Sequence, residues 1–359
     1  MTVEILGLDI GGANIKAATA DGECVQQSFA LWQNPDQLPQ RLSSLLRTFS
    51  GSPRLVALTM TGELADCFRD REDGVRQIMH SVQQVFPALP IQVWLTSGEF
   101  VSPEEAYDLT ELVAAANWHA LATWAGRAVP HGPALLADCG STTTDLIPLL
   151  DGCPASEGRT DLQRLAASEL VYTGARRTPV CALATSVQLS VTEQDPPQSI
   201  PVAGELFATA TDIHLLNGDI VEDENDHETA DGRPRTRQAA LHRLARQFCS
   251  DPAEINTAQI LSAARQIRDS QLQTIATAIS RVMGSLPESQ EPLPVLISGS
   301  GSWLMQRALQ HIATKRRCDI MLLSEMFRSD VSICAPAFAV ARLAAERCTD
   351  VLLPLSPHL

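Results

Sequence analysis

ALLADCGSTTTDLIPLLDG, residues 134–152, is an apolar run that stops at Asp138 and Gly140 and then carries four successive hydroxyls, Ser141, Thr142, Thr143 and Thr144. Asp145 follows, then a second apolar run and an Asp-Gly turn. Two apolar runs of strand length joined by turn residues read as a hairpin. The same plan stands earlier, in GLDIGGANIKAATADG at 7–22: Asp9, Gly11 and Lys16 correspond to Asp138, Gly140 and Asp145 at one offset of 129 residues. Each copy runs into an Asp-Gly turn, Asp21-Gly22 and Asp151-Gly152. A repeat at this distance predicts two copies of one supersecondary unit and therefore two lobes built alike. Coincidence of two Asp-x-Gly motifs is the competing reading; the shared strand before and hairpin after each motif speaks against it.

Outward from the hairpins, residues 3–30 predict a three-stranded meander, VEILGLDI, IKAATA and CVQQSFAL. Helical spacing of Leu38, Leu42, Leu45 and Leu46 follows, then a strand at RLVALTMTG, a helix at GVRQIMHSVQQVF and a strand at IQVWLTSG. PEEAYDLTELVAAANWHALATWAGRAV, residues 103–129, reads as one long helical stretch before the second hairpin. Beyond that hairpin, mixed helix and strand pieces and a polar acidic loop, VEDENDHETADGRPRT, precede helices at RQAALHRLARQFC and 255–286. The chain closes with a strand at PVLISGSG, a helix at 303–313, a strand at DIMLLSEMF and a final helix at APAFAVARLAAERC. The expected fold class is α/β, with a first lobe at 1–129, a second at 130–359 carrying a helical insertion, and a ligand cleft between them.

Composition narrows the function. The balance of 27 basic against 42 acidic residues, a formal charge of -15, argues against a nucleic-acid backbone or an anionic membrane as partner. The N-terminus lacks a basic region followed by an apolar core, and no apolar run approaches the ~20 residues of a membrane span. A cytoplasmic protein acting on small molecules is expected. The nine cysteines stand singly with no CxxC pair, which indicates neither a zinc site nor a disulfide frame. Oligomeric state is left open, a homo-oligomer included.

The turns themselves suggest the ligand. Glycines after a strand allow backbone N–H groups to approach an anion, and the hydroxyls at 141–144 add donors at fixed pitch. A threonine-rich polar hairpin is the alternative, and it leaves Asp138 and Asp145 without a purpose. Two carboxylates beside a phosphate repel it unless a cation lies between, so Asp9 and Asp138 are expected to hold Mg²⁺ through water; either could instead cap its turn. SGSGSW at 298–303, with Gly299, Ser300, Gly301 and Ser302, opens a helix whose N-terminus favours an anion or polar group. TMTGELADCF at 59–68 sets Thr61, Gly62, Glu63 and Asp66 at a strand end facing the same predicted cleft. Asn117 and His119 stand out in an otherwise apolar helix, with Trp118 and Trp124 read as packing.

The two Asp-x-Gly meanders and the late glycine-rich turn resemble the actin, Hsp70 and sugar-kinase superfamily, in which a duplicated ribonuclease H-like fold clamps phosphates between lobes. GLDIGGANIKAA, MTGELADCF, DCGSTTTDLIP, ELVYTGARRTPV, GELFATATDIHLLNG, TADGRPRT and SGSGSWL together are similar to the consecutive blocks of the hydantoinase A/oxoprolinase-related family. Within it, the resemblance is to the tetrahydromethanopterin-linked C1-transfer branch, which includes a methanofuran-biosynthesis enzyme. It implies a first phosphate loop at Asp9, Gly11, Gly12, Ala13, Asn14 and Lys16 and a second at Gly140, Ser141, Thr142, Thr143 and Thr144. The implied reaction transfers an aminomethylfuran-methyl group from its diphosphate to the phenol oxygen of γ-glutamyltyramine. Its partners would be a small-molecule diphosphate and a phenolic acceptor. Glu63, Asp66 and Asp145 are the candidate bases for the phenol. An ATP-dependent small-molecule kinase is the alternative for the same loops. A non-catalytic nucleotide-sensing regulator is disfavoured, since the first phosphate strand is predicted from residue 3 and leaves no room for a DNA-reading domain before it.

Overall fold

The computed structural model describes residues 5–190, 196–312 and 316–349. Val3 and Glu4 of the first predicted strand, and Ala313 at the end of the predicted helix at 303–313, lie outside them. The predicted meander forms β1 (Ile5–Gly11), β2 (Asn14–Thr19) and β3 (Cys24–Ser28). Helix α1 (Leu38–Leu46), strand β4 (Leu55–Thr61), helix α2 (Arg71–Val85) and strands β5 (Ile91–Trp94) and β6 (Phe100–Val101) complete the first sheet and its cover. Strand order is β3-β2-β1-β4-β5-β6, with β1 antiparallel to β2 and parallel to β4. The runs ILGLDIG and LVALTMT are buried almost throughout, as strands covered on both faces must be.

The stretch at 103–129 corrects the expectation of one long helix. It is broken into α3 (Pro103–Ala106), α4 (Thr110–Val113) and α5 (Asn117–Ala125), with a 3-10 turn at Gly126–Ala128. Alanine favours helix, but Ala114 is extended and Ala115 takes a φ of 49°, while the N–H of Thr96 after β5 binds the carbonyl of Leu112. Packing overrides propensity there, and the break lets α5 restart at Asn117.

The second hairpin forms β7 (Pro133–Cys139) and β8 (Thr144–Leu150), followed by β9 (Cys153–Pro154), α6 (Asp161–Ala167) and β10 (Leu170–Val171). The insertion comprises α7 (Val180–Leu183), β11 (Ser186–Leu189), β12 (Gln198–Pro201), α8 (Ala210–Asn217) and α9 (Arg237–Arg246). Helix α10 (Thr257–Ser285) starts with an Asn256–Gln259 capping box. Its first half packs Ile260, Ala264 and Ile267 into the insertion, and its second half packs Ile275 and Ile279 against the sheet. Strand β13 (Leu293–Ser298), helix α11 (Ser302–Gln310) and strand β14 (Cys318–Leu322) finish the second sheet, ordered β10-β8-β7-β13-β14 with β9 also on β8. The predicted strand at DIMLLSEMF is shorter than expected, because its end coils into α12 (Leu323–Met326), ahead of α13 (Ser329–Ile333) and α14 (Ala335–Thr349).

The duplication is therefore real in three dimensions. β2-β1-β4-β5 in one sheet and β8-β7-β13-β14 in the other share order and strand directions. The last helix, α14, is buried on nearly all sides and crosses back onto β1. Gly7 makes that contact: a Cβ there would collide with the carbonyl of Ala337. With α5 it joins both sheets through one apolar core that includes Trp94, Trp124, Leu136 and Phe338.

Candidate active site

Strand register positions the acids. Asp9 lies opposite Lys16 across β1 and β2, and Asp138 lies opposite Asp145 across β7 and β8, as the constant offset implied. The correspondence reaches the next strand as well: Thr59 of β4 flanks Asp9, and Ser298 of β13 flanks Asp138. The two flanking hydroxyls behave differently. Ser298 Oγ donates to Asp138 Oδ1 at 2.6 Å, whereas Thr59 Oγ1 and Asp9 Oδ1 are buried with no hydrogen-bond partner among the described residues. A buried carboxylate oxygen without a donor is costly, and it marks where a bound group would be received.

The two hairpin turns meet. Asn14 Nδ2 donates to Ser141 Oγ at 3.2 Å, while Asn14 Oδ1 accepts from Gln26 and Ser28. The second turn is closed by the Gly140 N–H on Thr143 O at 2.9 Å. A strap at 173–178 backs it: Ala175 N–H binds Gly140 O, and the N–H groups of Arg176 and Arg177 bind Ser141 O at 3.0 and 2.9 Å. Gly174 is required in that strap, since a Cβ would meet Gly140 O, Ser141 C and Thr142 N at 2.7 Å. Thr144 is fully buried and its hydroxyl donates to Thr173 O at 2.8 Å, which ties the hairpin to the strap. Ser141, Thr142 and Thr143 remain half-buried at the turn, as do Gly11, Gly12 and Ala13 at the first.

The electrostatics show one shared site. Burial pushes the Asp9 carboxyl up to about 6; the charges of Asp138 and Asp145 push the same way, and Lys16 and the Asn117 side chain oppose them. Burial likewise raises Asp138, with Lys16 and Ser298 opposing. The charge of Asp138 thus reaches Asp9, and Lys16, the sole lysine among the described residues, opposes the rise of both. Asp145 is held by Arg164 at 2.8 Å, and the Arg164 guanidinium lies 4.3 Å over the ring of Trp118. Trp118 is therefore packing that also carries a cation.

Glu63, just beyond β4, is buried with Oε2 unpartnered, and burial raises its carboxyl to about 7. The charge of Asp161 at the start of α6 adds to this, and Arg71 opposes it. Asp66 is exposed on the same loop, and Thr61 is exposed beside Gly11. Gly62 N–H binds Ile10 O at 3.0 Å, which holds the Glu63 loop to the first hairpin. Gly301 N–H binds Cys139 O at 2.8 Å; Gly299 is buried next to Asp138, Ser302 is half-buried and Ser300 is exposed. Burial lowers His119 to about 4, so it is neutral near pH 7.

Four contributors escaped sequence reasoning. Asn117, noticed only as a polar residue in an apolar helix, reaches Asp9 because α5 starts there. Ser298 and Thr59 open the stretches SGSGSW and TMTGELADCF without standing out within them, and Arg164 carries no sequence signal. Among the described residues no group of three or more His, Cys, Asp or Glu is arranged to hold a metal ion. The pair Asp9 and Asp138 still suits a hydrated Mg²⁺, an ion that keeps several waters and takes one or two carboxylates; Asp9 Oδ1 is the free ligand atom.

Comparison with known proteins establishes the family. A family model described as hydantoinase/oxoprolinase matches residues 54–347. The chain belongs to the hydantoinase/oxoprolinase family. A relative in Methanocaldococcus jannaschii, named (4-{4-[2-(gamma-L-glutamylamino)ethyl]phenoxymethyl}furan-2-yl)methanamine synthase, is 32% identical over 350 residues, covering 97% of this chain and 99% of that one. A Methanococcus vannielii protein of the same name is 31% identical over 209 residues, 58% of this chain and 89% of its own. Among solved structures, nucleotide-free acetone carboxylase superposes with a TM-score of 0.54 at 11% identity, over 95% of this chain and 70% of that one. This last likeness concerns the fold: the two-lobed, duplicated ribonuclease H-like architecture of this family member. No helix among the described residues is long and apolar enough to cross a membrane.

Proposed function

We propose that this protein is an ether synthase of methanofuran-type cofactor assembly, moving an aminomethylfuran-methyl group from its diphosphate to the phenol oxygen of γ-glutamyltyramine. The observation that carries the reading is the 32% identity, over nearly the full length of both chains, with the M. jannaschii synthase, whose name describes a phenoxymethyl-furan ether. The site chemistry suits it. The bond between the furan-bearing CH2 and diphosphate breaks, its electron pair leaving with the diphosphate; the phenol oxygen bonds to the CH2 and gives up its proton. Electron donation from the furan eases the first event, so the chief demand on the protein is to stabilise the leaving oxyanion.

Lys16, the hydroxyls of Ser141, Thr142 and Thr143, and those backbone N–H groups of the two hairpin turns that are not bonded to carbonyls form that receptacle. One well-aimed donor in such a site is worth ~3 kcal/mol. Asp9 and Asp138 would hold Mg²⁺, which supplies the positive charge that makes a diphosphate compatible with two buried carboxylates. Glu63 serves as base: Asp145 is committed to Arg164 and Asp66 is exposed, whereas Glu63 has a free oxygen and a carboxyl near 7. A base poised there accepts a proton from a phenol of pKa ~10 more effectively than an ordinary carboxylate does.

The test is incubation of the purified protein with the furan diphosphate and γ-glutamyltyramine, following diphosphate release and the mass of the ether. Release that requires both substrates and Mg²⁺ supports the proposal. A phosphorylated product formed from ATP, with no ether, refutes it in favour of a kinase.

A further inference from the structure

One cation beside the second turn has no role in the chemistry above. Arg177 lies in the strap, and its own N–H is fixed to Ser141 O at 2.9 Å. Its guanidinium lies 4.4 Å from the ring centroid of Trp32, a residue of the first lobe. Trp32 is itself placed by the first turn, because the adjacent Leu31 N–H binds Gly12 O at 3.0 Å. The stack therefore sits where both turns meet, alongside the Asn14–Ser141 bridge.

The surroundings of Arg177 differ from those of its neighbours. Arg176 binds Asp226 at 2.7 Å, Arg164 binds Asp145 and Arg235 binds Asp226 at 2.8 Å. No carboxylate among the described residues comes within 4.0 Å of the Arg177 guanidinium. Glu228 acts on it only from a distance and is the second carboxylate on Arg176, at 3.8 Å. Burial holds Arg177 below the ordinary arginine range, with the charge of Glu228 opposing. A guanidinium whose centre lies over an indole ring leaves N–H groups at its edge for two parallel bonds to an oxyanion.

We infer that Arg177, oriented by Trp32, is a substrate-binding residue that takes a bidentate oxyanion at the mouth of the cleft. That oxyanion is either the outer phosphate of the donor's diphosphate or the carboxylate of the acceptor's glutamyl group. The inference rests on the proposed function for the identity of these two molecules, and on the stack for the site. Because Arg177 makes no ion pair, its removal costs the fold only the contact with Trp32. Trp32 is a positioning residue: without its ring the guanidinium loses its orientation and keeps its charge.

The experiment compares wild type with Arg177→Gln and Trp32→Leu, reading the binding of inorganic diphosphate with Mg²⁺ and of γ-glutamyltyramine by calorimetry, and the KM values of turnover. Arg177→Gln is expected to weaken one of the two ligands by about 10- to 100-fold, as for the loss of a charge-assisted contact, with a melting temperature no lower than that of Trp32→Leu. Diphosphate affected alone assigns the site to the donor. γ-Glutamyltyramine affected while plain tyramine is not assigns it to the acceptor carboxylate. Trp32→Leu should weaken the same ligand less. Wild-type ether synthesis with both affinities and both KM values unmoved in Arg177→Gln overturns the inference and leaves the proposed function standing. A wild type that makes no ether yet binds diphosphate through Arg177 does the reverse. Binding of neither ligand by the wild type overturns both.

Discussion

The carboxyl of Asp9 should weaken the empty protein, and Asp9→Asn tests this. In the unfolded chain the group titrates at 3.8; in the folded chain burial moves it to about 6. Between these values the folded state binds more protons than the unfolded one, so stability falls as pH rises and the loss is complete above about 6. At ~1.4 kcal/mol per tenfold change in proton affinity, the move from 3.8 to about 6 gives a penalty of roughly 3 kcal/mol near pH 7.5. Asparagine has the same shape, carries no charge and relieves the repulsion by Asp138 and Asp145. With an unfolding entropy of ~2 cal/mol/K per residue, a chain of this length melts about 4 °C higher for that gain. The assay is thermal unfolding of both proteins in chelator from pH 4 to 7.5. The advantage of Asp9→Asn should be present at pH 7.5 and shrink toward nothing at pH 4, while ether formation is lost. A gain that is the same at both pH values, or a destabilised variant at pH 7.5, would refute the assignment of Asp9 as a buried, unneutralised acid.

Other perturbations address the neighbours. Glu63→Gln should lower kcat by about 10²–10⁴-fold and abolish the rise of rate with pH through about 7 that the wild type shows as Glu63 ionises. Ser298→Ala removes the 2.6 Å donor to Asp138, a bond worth ~1.5–3 kcal/mol; a KM for diphosphate donor or a Mg²⁺ requirement identical to wild type would show that Asp138 needs no such support. Gly174→Ala forces the strap off the second turn, since the new methyl would lie 2.7 Å from backbone atoms of that turn. Diphosphate affinity by calorimetry should drop about tenfold or more, with the first lobe's packing unaffected.

Much of the fold was legible because it is written in local patterns. The strands around Asp9 and Asp138, the helices at 71–85 and 257–285 and the glycine turns follow from periodicity and turn chemistry. Where the reading failed, at 103–129, an alanine-rich run that favours helix is broken by contacts with β5 lying outside any local window. The site divides in the same way. Asp9, Lys16, Asp138 and Asp145 emerged from a repeated spacing, whereas Ser298, Thr59, Asn117 and Arg164 carried no spacing signal.

By itself, then, the sequence determined that two like hairpins with acids at matching positions exist, since strand register is set within a few residues and survives duplication. Only tertiary structure decided that the hairpins face each other, that Asn14 reaches Ser141, that Asp145 is neutralised by Arg164 and that Asp9 and Glu63 each keep one buried oxygen without a partner among the described residues. Those outcomes depend on burial and on charges brought together from distant segments, and a carboxyl's proton affinity follows its surroundings rather than its place in the chain.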